Sequence, residues 1–282
     1  KANVTALVLD SEAVNELSNK IKKSAIITDE SCFYAESGGQ VGDKGIISSE
    51  NAEFKVTDTR KTPQGIFIHF GNVISGNFKI GNEVKLKIDS SLRELIKKNH
   101  SATHLLHAAL RNNLGLHVAQ RGSLVNENKL RFDFSHNKQI SSKQIDTIQK
   151  EVTSIIANDC ETQIDIKSQE EAIKQGAMAL FGEKYADTVR TVRFGESIEL
   201  CGGTHVSNTS EIWHFTITSE SAVASGVRRI EAVTGEEAKK LVYEQAAMME
   251  AVKLQLKNPK DLVQSVQALQ EENAKLRKEL DK

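Results

Sequence analysis

The amino-acid sequence predicts an α+β protein with three parts in chain order. Alternating apolar residues and glycine-rich turns predict a small β domain over residues 1–90. Residues 91–234 combine helical and strand periodicities, which predicts a mixed core. Residues 235–282 are helical in pattern throughout. With 39% hydrophobic residues in a chain of 282, the sequence has enough apolar content for a sizeable core.

The strands of the first part are predicted by alternation. It is clearest in GIFIHF at residues 65–70 and in EVKLKID at residues 83–89. The stretch GGQVGDKG at residues 38–45 separates strands, because closely spaced glycines favour turns. Together these patterns indicate a sheet built from short, sequentially connected strands.

The second part opens with a long predicted helix. Residues 93–115 place apolar side chains three and four positions apart, and Gly115 is the predicted end of the helix. A strand is predicted at residues 130–134. Ser141 and Gln144 form a capping-box pattern for a second helix that extends to about Ala157. Later strands are predicted at TVRTVRF (188–194), EIWHFTI (211–217) and VRRIEAV (227–233).

The third part is predicted to contain two helices. Thr234 and Glu237 form a capping-box pattern at its start, and Asn258-Pro259 interrupts the helical periodicity. In the second helix, apolar residues and one asparagine alternate in steps of three and four: Val266, Leu269, Asn273, Leu276 and Leu280. This spacing is typical of a coiled coil whose asparagine fixes the register, and equally of an amphipathic helix that packs on its neighbour.

Composition and sequence pattern argue against a membrane-spanning or secreted protein. The net charge of −1 means that any nucleic acid would be bound by local basic patches. We find no run of 18 apolar residues and no secretory leader, and the three cysteines are far apart, so we expect a cytoplasmic protein in a reducing compartment. The chain begins at Lys1 and stops within a helical pattern, so we expect a piece of a longer protein.

Two short motifs together predict a metal site. His100 and His104 lie four residues apart on the long helix, so both imidazoles leave the same face. Cys201 and His205 flank two glycines, Gly202 and Gly203, that allow the backbone to turn tightly enough for both side chains to converge. Three imidazoles and one thiolate suit Zn²⁺ best.

The sequence leaves the role of this metal open. Ser101 stands where the HExxH motif of zinc proteases requires a glutamate, so protease chemistry is excluded. Four protein ligands close a tetrahedral site, which favours structural zinc, whereas a catalytic role requires expanded coordination or a metal that orients the substrate. The remaining histidines are not predicted to be ligands, because a lone histidine is more often a satisfied packing residue: His69, His107, His117, His136 and His214.

Six motifs occur along the chain: FYAESGGQVGD (33–43), HSATHLLHAAL (100–110), HVAQRGSLV (117–125), LRFDFSH (130–136), CGGTHV (201–206) and SGVRRIEAVTG (225–235). In order and spacing they resemble the editing region of the alanyl-tRNA synthetases. The resemblance extends over essentially the whole chain, and freestanding alanyl-tRNA editing proteins and the threonyl-tRNA synthetase editing domain share the HxxxH and CxxxH pair.

The resemblance implies a fold and an activity. It implies a β-barrel-like subdomain over 1–90, an α/β editing core with a zinc site over 91–234, and a helical hairpin or coiled coil over 235–282. The implied reaction is hydrolysis of tRNA(Ala) that carries serine or glycine, with one Zn²⁺ per chain. The parent synthetase joins alanine to tRNA(Ala) with ATP and Mg²⁺. Aminoacylation is not expected from this sequence, in which we find no nucleotide-binding loop such as GxxxxGK[ST].

The resemblance also carries residue roles. The metal ligands are His100, His104, Cys201 and His205. The catalytic pocket residues are Thr103, Gln120 and Ser123, and the turn Gly38-Gly39-Gln40 lies near the amino acid or the terminal adenosine. From residue chemistry alone, Thr103 is equally able to bond back to its own helix, and Gln120 to be a surface residue. No residue of these motifs is an obvious general base.

Basic residues predict contacts to tRNA phosphates. Arg228 and Arg229 match a family motif, and two further patches are KIKK at residues 20–23 and Arg93 with Lys97 and Lys98. The carboxy-terminal helices are expected to form a homodimer. Two alternatives stay open: a non-catalytic tRNA-binding and dimerisation fragment held by structural zinc, and a freestanding alanyl-tRNA editing protein.

Overall fold

The computed structural model describes residues 1–18, 23–178 and 187–281, which form a mixed α+β fold. These residues make two compact units, Lys1–Gly235 and Glu236–Lys282. The five α-helices within the described ranges are α1 (Ser90–Leu114), α2 (Ser142–Ala157), α3 (Gln169–Lys174), α4 (Gly235–Gln255) and α5 (Leu262–Leu280). The strands are β1 (Ala2–Leu9), β2 (Glu12–Val14), β3 (Glu16–Ser18), β4 (Ser24–Thr28), β5 (Gly45–Ser48), β6 (Glu53–Lys61), β7 (Phe67–Ser75), β8 (Asn77–Lys79), β9 (Glu83–Ile88), β10 (Gln120–Val125), β11 (Leu130–Ser135), β12 (Thr162–Ser168), β13 (Thr188–Phe194), β14 (Ser197–Leu200), β15 (Phe215–Ala224) and β16 (Val227–Thr234).

The amino-terminal strands form one antiparallel sheet in the order β2-β1-β4-β7-β6-β5-β9. β9 also pairs with β1, through Ala2 opposite Val84, so the pairings of six strands run round a ring. Alternate side chains of these strands point inward and form a separate core, in which Phe54 and Phe78 are fully buried with their rings edge to face at 6.2 Å. The barrel-like shape implied by the resemblance remains a prediction.

The larger core lies between α1, α2 and a second antiparallel sheet of order β10-β11-β16-β15. Leu105, Leu106 and Leu110 of α1 are fully buried in the same cluster as Phe132 and Phe134 of β11. Burying a side chain of this size stabilises the fold by about 1.5–3 kcal/mol. The helix that carries His100 and His104 is therefore fixed along its length by apolar packing.

Helix α1 begins and ends at identifiable capping residues. Asp89 is the N-cap, and its carboxylate accepts hydrogen bonds from the backbone N–H groups of Ser91 and Leu92. Gly115 follows the last helical residue with φ of 114°, and its N–H donates to the carbonyl of Arg111. The predicted helix and its end at Gly115 are confirmed.

One predicted strand begins later than expected. Residues Thr209–Ile212 form a 3-10 turn, and Phe215 is the first strand residue. The Glu211 carboxylate accepts from the N–H groups of Ser207 and Asn208, which holds the chain in a turn. These local bonds override the alternating pattern of EIWHFTI in its first half.

The remaining elements of the described residues are a three-stranded sheet, β12-β13-β14, a two-stranded sheet, β3-β8, the short helix α3 and the two carboxy-terminal helices. The predicted interruption at Asn258-Pro259 is confirmed, since α4 ends at Gln255 and Asn258 has φ of 54°. Helix α5 has no buried residue. Among the described helices, none has the length and apolar content needed to cross a membrane.

Removing the N-cap of α1 should destabilise the first unit. Asp89→Ala is expected to lower the free energy of unfolding by about 1 kcal/mol at neutral pH. Bonds from the Ser91 hydroxyl, Leu92 N–H and Ser91 N–H lower the pKa of Asp89 in the folded state. Its stabilising contribution is therefore present above the unfolded pKa and lost as the pH falls through the folded value.

Denaturant unfolding of native protein and Asp89→Ala at neutral and at strongly acidic pH measures this difference. Ser141→Ala, which removes the cap of α2, is the matched control because its hydroxyl does not titrate in this range. An Asp89 effect of the same size at both pH values would contradict the account.

Candidate metal centre and adjoining cavity

Four potential metal-binding side chains, from two segments distant in the chain, form one cluster. His100 and His104 come from α1, and their stacked rings lie 5.2 Å apart. Cys201 and His205 come from the loop that follows β14. One candidate ligand atom from each of the four residues lies within 4.8 Å of every other, so the cluster can hold a metal ion.

The distances within the cluster fit a tetrahedral ion. The Sγ of Cys201 lies 3.5 Å from His100 Nε2 and 3.3 Å from His205 Nε2. Zinc–sulfur bonds of about 2.3 Å and zinc–nitrogen bonds of about 2.0–2.1 Å give a sulfur–nitrogen edge of about 3.5 Å in a tetrahedron. These two sulfur–nitrogen distances are therefore close to those between two ligands of one tetrahedral metal.

Each of the three imidazoles makes a polar contact through Nδ1, the ring nitrogen that is not the proposed metal ligand. Gln40 Oε1 lies 2.6 Å from His100 Nδ1, Glu199 Oε2 lies 2.7 Å from His104 Nδ1, and Ser101 Oγ lies 3.1 Å from His205 Nδ1. Such contacts orient metal-binding histidines and fix the tautomer that leaves Nε2 free for the metal. His104 Nε2 is buried and has no hydrogen-bond partner within the described part of the chain, as expected of a nitrogen that binds a metal.

The loop that carries Cys201 and His205 is tied to the amino-terminal domain. Gln40 is fully buried; its Oε1 also accepts from the N–H of Thr204 at 2.9 Å, and its amide donates to the Thr204 hydroxyl at 3.0 Å. Arg190 donates to the carbonyls of Cys201 and Gly203. The structure thus places Gln40, expected near the substrate, directly behind a predicted ligand.

The electrostatics of the cluster favour a bound cation. Burial raises the pKa of Cys201, but His100 and His104 outweigh it and hold the pKa well below its ordinary value. Burial lowers the pKa of His104, yet Glu199 and Cys201 raise it to about 10. Burial and His100 lower the pKa of His205 to about 3. The thiolate of Cys201 and the neutral imidazole of His205 are in the forms that a divalent metal requires, and a bound metal would displace the additional proton that Glu199 and Cys201 favour on His104.

A cavity of about 80 Å³ adjoins the cluster. Thr103, Gln120 and Ser123 all line it. The Thr103 hydroxyl donates to the carbonyl of Asn99 at 2.8 Å, which is the back-bond considered from the sequence. The amide of Gln120 and the hydroxyl of Ser123 make no side-chain hydrogen bond to another described residue, so both are available to a ligand.

The glycine turn closes one wall of the cavity. Gly38 lines it, and Gly39 has φ of 84°. A Cβ on Gly39 would lie 2.7 Å from the Cβ and the carbonyl oxygen of Ser123. Only glycine therefore allows the turn to lie against β10 and to bring Gly38 and Ser123 to the same space.

The predicted phosphate-binding residues are mostly engaged within the protein. Arg228 pairs with Glu220, and Arg229 makes a two-point bond to Asp133 at 2.6 and 2.8 Å. Arg93 pairs with the buried Asp43, and Lys97 pairs with Glu94 at 2.6 Å. Lys20 and Lys22 of the KIKK patch lie outside the described residues.

Sequence reasoning missed two residues that matter to the geometry. Glu199 is buried and bridges His104 and His107, whose Nδ1 lies 2.9 Å from Glu199 Oε1. Its position two residues before Cys201 was a usable signal, since metal-bound histidines commonly donate to a carboxylate. His107 is not among the predicted ligands, and it lines the cavity.

The close approach of Gly203 to the cluster can be tested by substitution. A Cβ on Gly203 would lie 2.0 Å from Cε1 of His100, so Gly203→Ala is expected to displace this imidazole and weaken metal binding at least about tenfold. Gly202→Ala is the matched control, because a Cβ there meets nothing within 4 Å. Metal content after dialysis against a chelator measures both, and equal retention in both would contradict the geometry.

Comparison with protein-family models gives two matches. Residues 1–92 match the model described as tRNA synthetases class II (A). Residues 189–231, which include Glu199 and the CGGTH loop, match the model described as the threonyl and alanyl tRNA synthetase second additional domain. The two matches lie on the amino-terminal sheet and on the metal-binding half of the core.

Curated relatives match over nearly the whole chain. Alanine–tRNA ligase of Mesorhizobium japonicum is 46% identical over 98% of this chain. The enzymes of Polynucleobacter asymbioticus and Bacillus pumilus are 47% and 46% identical over 100% and 99% of it. The chain spans 32% of the length of each of these three relatives. We conclude that the chain belongs to the alanyl-tRNA synthetase family, of which it represents about a third of a full-length member.

Proposed function

We propose that this part of an alanyl-tRNA synthetase hydrolyses the ester of tRNA(Ala) mischarged with serine or glycine. The observation that supports the proposal is a metal-binding cluster that adjoins a small cavity with unpaired polar groups. A synthetic site for alanine cannot exclude the smaller glycine and rejects an added hydroxyl poorly, so a second, hydrolytic site is needed.

Zn²⁺ is the proposed metal, one per chain, bound by His100, His104, Cys201 and His205. Imidazole nitrogen and thiolate sulfur together select zinc over the harder ions that prefer oxygen ligands. When bound, zinc supplies a positive charge that orients or polarises an ester carbonyl or an α-amino group next to the cavity.

The chain's own residues would position the substrate. Gln120 offers an amide donor and an amide acceptor without charge, which suits it to hold the ester carbonyl or the attacking water. The Ser123 hydroxyl lies on the same strand and offers a second polar contact. Thr103 presents its hydroxyl oxygen as an acceptor, because its proton is already donated to Asn99.

The proton acceptor for the attacking water is assigned to the substrate. The motif residues include no obvious general base, and the free 2′- or 3′-hydroxyl of the terminal ribose lies next to the ester that is hydrolysed. We propose that this hydroxyl assists the water. A substrate that lacks it should be hydrolysed more slowly, and full-speed hydrolysis would remove the assignment.

tRNA(Ala) is the proposed partner, and the cytoplasm the proposed location. The parent synthetase would use ATP and Mg²⁺ for aminoacylation, outside this chain. Arg228 and Arg229 can reach a phosphate only by sharing or exchanging their carboxylate partners. We further propose a homodimer through α5, whose alternating apolar residues are exposed: Val266, Leu269, Leu276 and Leu280.

The alternative is a tRNA-binding fragment in which zinc is only structural. It is favoured by the four protein ligands, which fill a tetrahedral site. Metal content does not separate the two functions, because both require a bound ion. Turnover separates them. A freestanding editing protein would share the chemistry and differ only in the length of its chain.

Cobalt substitution tests the proposed ligands. Native protein refolded with one equivalent of Co²⁺ should show a thiolate-to-metal charge-transfer band and the visible absorption of a four-coordinate ion. Cys201→Ser should lose the charge-transfer band, whereas Cys160→Ser should keep it because Cys160 lies outside the cluster. A band that survives Cys201→Ser would assign the metal to another site.

Hydrolysis of Ser-tRNA(Ala) and Ala-tRNA(Ala) tests the activity. Native protein should release serine rapidly and spare alanine, and Gln120→Leu should slow serine release by about 10²–10³-fold if its amide holds the reacting atoms. Metal content and thermal unfolding should be unchanged in this variant. A folded, zinc-loaded native protein that hydrolyses neither ester would refute the catalytic proposal and leave the structural alternative.

A further inference from the structure

Among the described residues that line the cavity, one buried polar atom remains without a partner after the four proposed ligands are assigned. His107 is 3% exposed, and its Nε2 has no hydrogen-bond partner within the described residues. His104 Nε2 shares this condition, but a metal ion would satisfy it. A ligand that donates a hydrogen bond to His107 Nε2 would remove the free-energy cost of leaving a buried polar atom unpaired.

The contact with Glu199 determines the tautomer of His107 and therefore whether its Nε2 donates or accepts a hydrogen bond. An ionised carboxylate only accepts hydrogen bonds, so the imidazole that contacts it at 2.9 Å donates through Nδ1–H. In the neutral ring the Nε2 atom then carries a lone pair and acts only as an acceptor. The same carboxylate fixes His104 in the same tautomer through its other oxygen, at 2.7 Å.

The surroundings restrict what can reach this atom. His107 lines the cavity beside the metal cluster, with the Phe132 ring centroid 5.1 Å away. Phe132 lines the cavity as well and offers no polar atom. With about 80 Å³ available, the space holds a few water-sized groups. The matching ligand group is small, uncharged and a hydrogen-bond donor, which describes a hydroxyl.

We propose that His107 Nε2 accepts a hydrogen bond from the side-chain hydroxyl of a seryl ester bound in this cavity, and so determines which amino acid is hydrolysed. This inference rests on the proposed function of the site. His107 acts by binding the substrate's side chain, whereas Gln120 and Ser123 hold the groups around the ester.

A hydrogen-bond acceptor at His107 Nε2 explains why alanine is rejected although the smaller glycine and the larger serine are both accepted. Serine satisfies Nε2 with its own hydroxyl. Glycine leaves room for a water molecule that donates in its place. The methyl group of alanine fills that room, displaces the water and leaves Nε2 unpaired. A purely steric pocket would not accept glycine and serine while excluding the residue of intermediate size.

Binding of stable analogues tests the proposal apart from catalysis. The probes are adenosines that carry seryl, alanyl or glycyl groups on a 3′-amino group, so that an amide replaces the ester. Zinc-loaded native protein should bind the seryl probe at least about tenfold more tightly than the alanyl probe. His107→Leu should abolish this preference, and His107→Gln, whose amide reaches toward the Nε2 position, should restore part of it.

Zinc content and thermal unfolding of each variant show whether the neighbouring site is intact. A second readout needs no variant: the ¹⁵N resonance of His107 Nε2 in native protein should be that of an unprotonated nitrogen and should shift with the seryl probe but not with the alanyl probe. A seryl preference unchanged in folded His107→Leu, or an unchanged resonance, would overturn the proposal. If the preference behaves as expected while no ester is hydrolysed, the proposed function fails and the assignment of His107 stands.

Discussion

The contact between Glu199 and His104 is the interaction on which the rest of the site depends. A carboxylate that is 3% exposed is stabilised here because both of its oxygens are bonded to imidazoles. Burial raises the pKa of Glu199, and the charges and hydrogen bonds of His104 and His107 lower it below its ordinary range. The ionised group in turn orients two histidines, one toward the metal cluster and one toward the cavity.

Packing and polar contacts together explain how His100 and Cys201, which are 101 positions apart in the chain, come to lie in one cluster. Apolar packing fixes α1, and the CGGTH loop reaches it only because Gly203 has no side chain. Gln40, Ser101 and Glu199 then hold the ring nitrogens that do not face the metal. The loop between β4 and β5 contributes Gln40 to the centre, and Gln40 links this amino-terminal part of the chain to α1 and the CGGTH loop through buried polar contacts.

Much of this was predictable from the sequence, because the patterns concerned are local. The helix around His100, its end at Gly115 and the capping box at Ser141 depend on residues close in the chain. Spacing and donor chemistry predict the four proposed metal ligands. The roles of Gln40, Glu199 and His107 depend on contacts across 60 to 95 positions, which no local pattern contains. The turn at Glu211 was missed because side-chain bonds to the backbone outweighed strand periodicity.

Diffraction data from a zinc-loaded crystal, collected on both sides of the zinc absorption edge, test the central claim most directly. The account predicts one anomalous peak per chain, tetrahedrally surrounded by Nε2 of His100, His104 and His205 and by Sγ of Cys201, with Glu199 still bonded to Nδ1 of His104. A peak bound through Nδ1, a peak elsewhere, or a protein that holds no zinc at this cluster would contradict it.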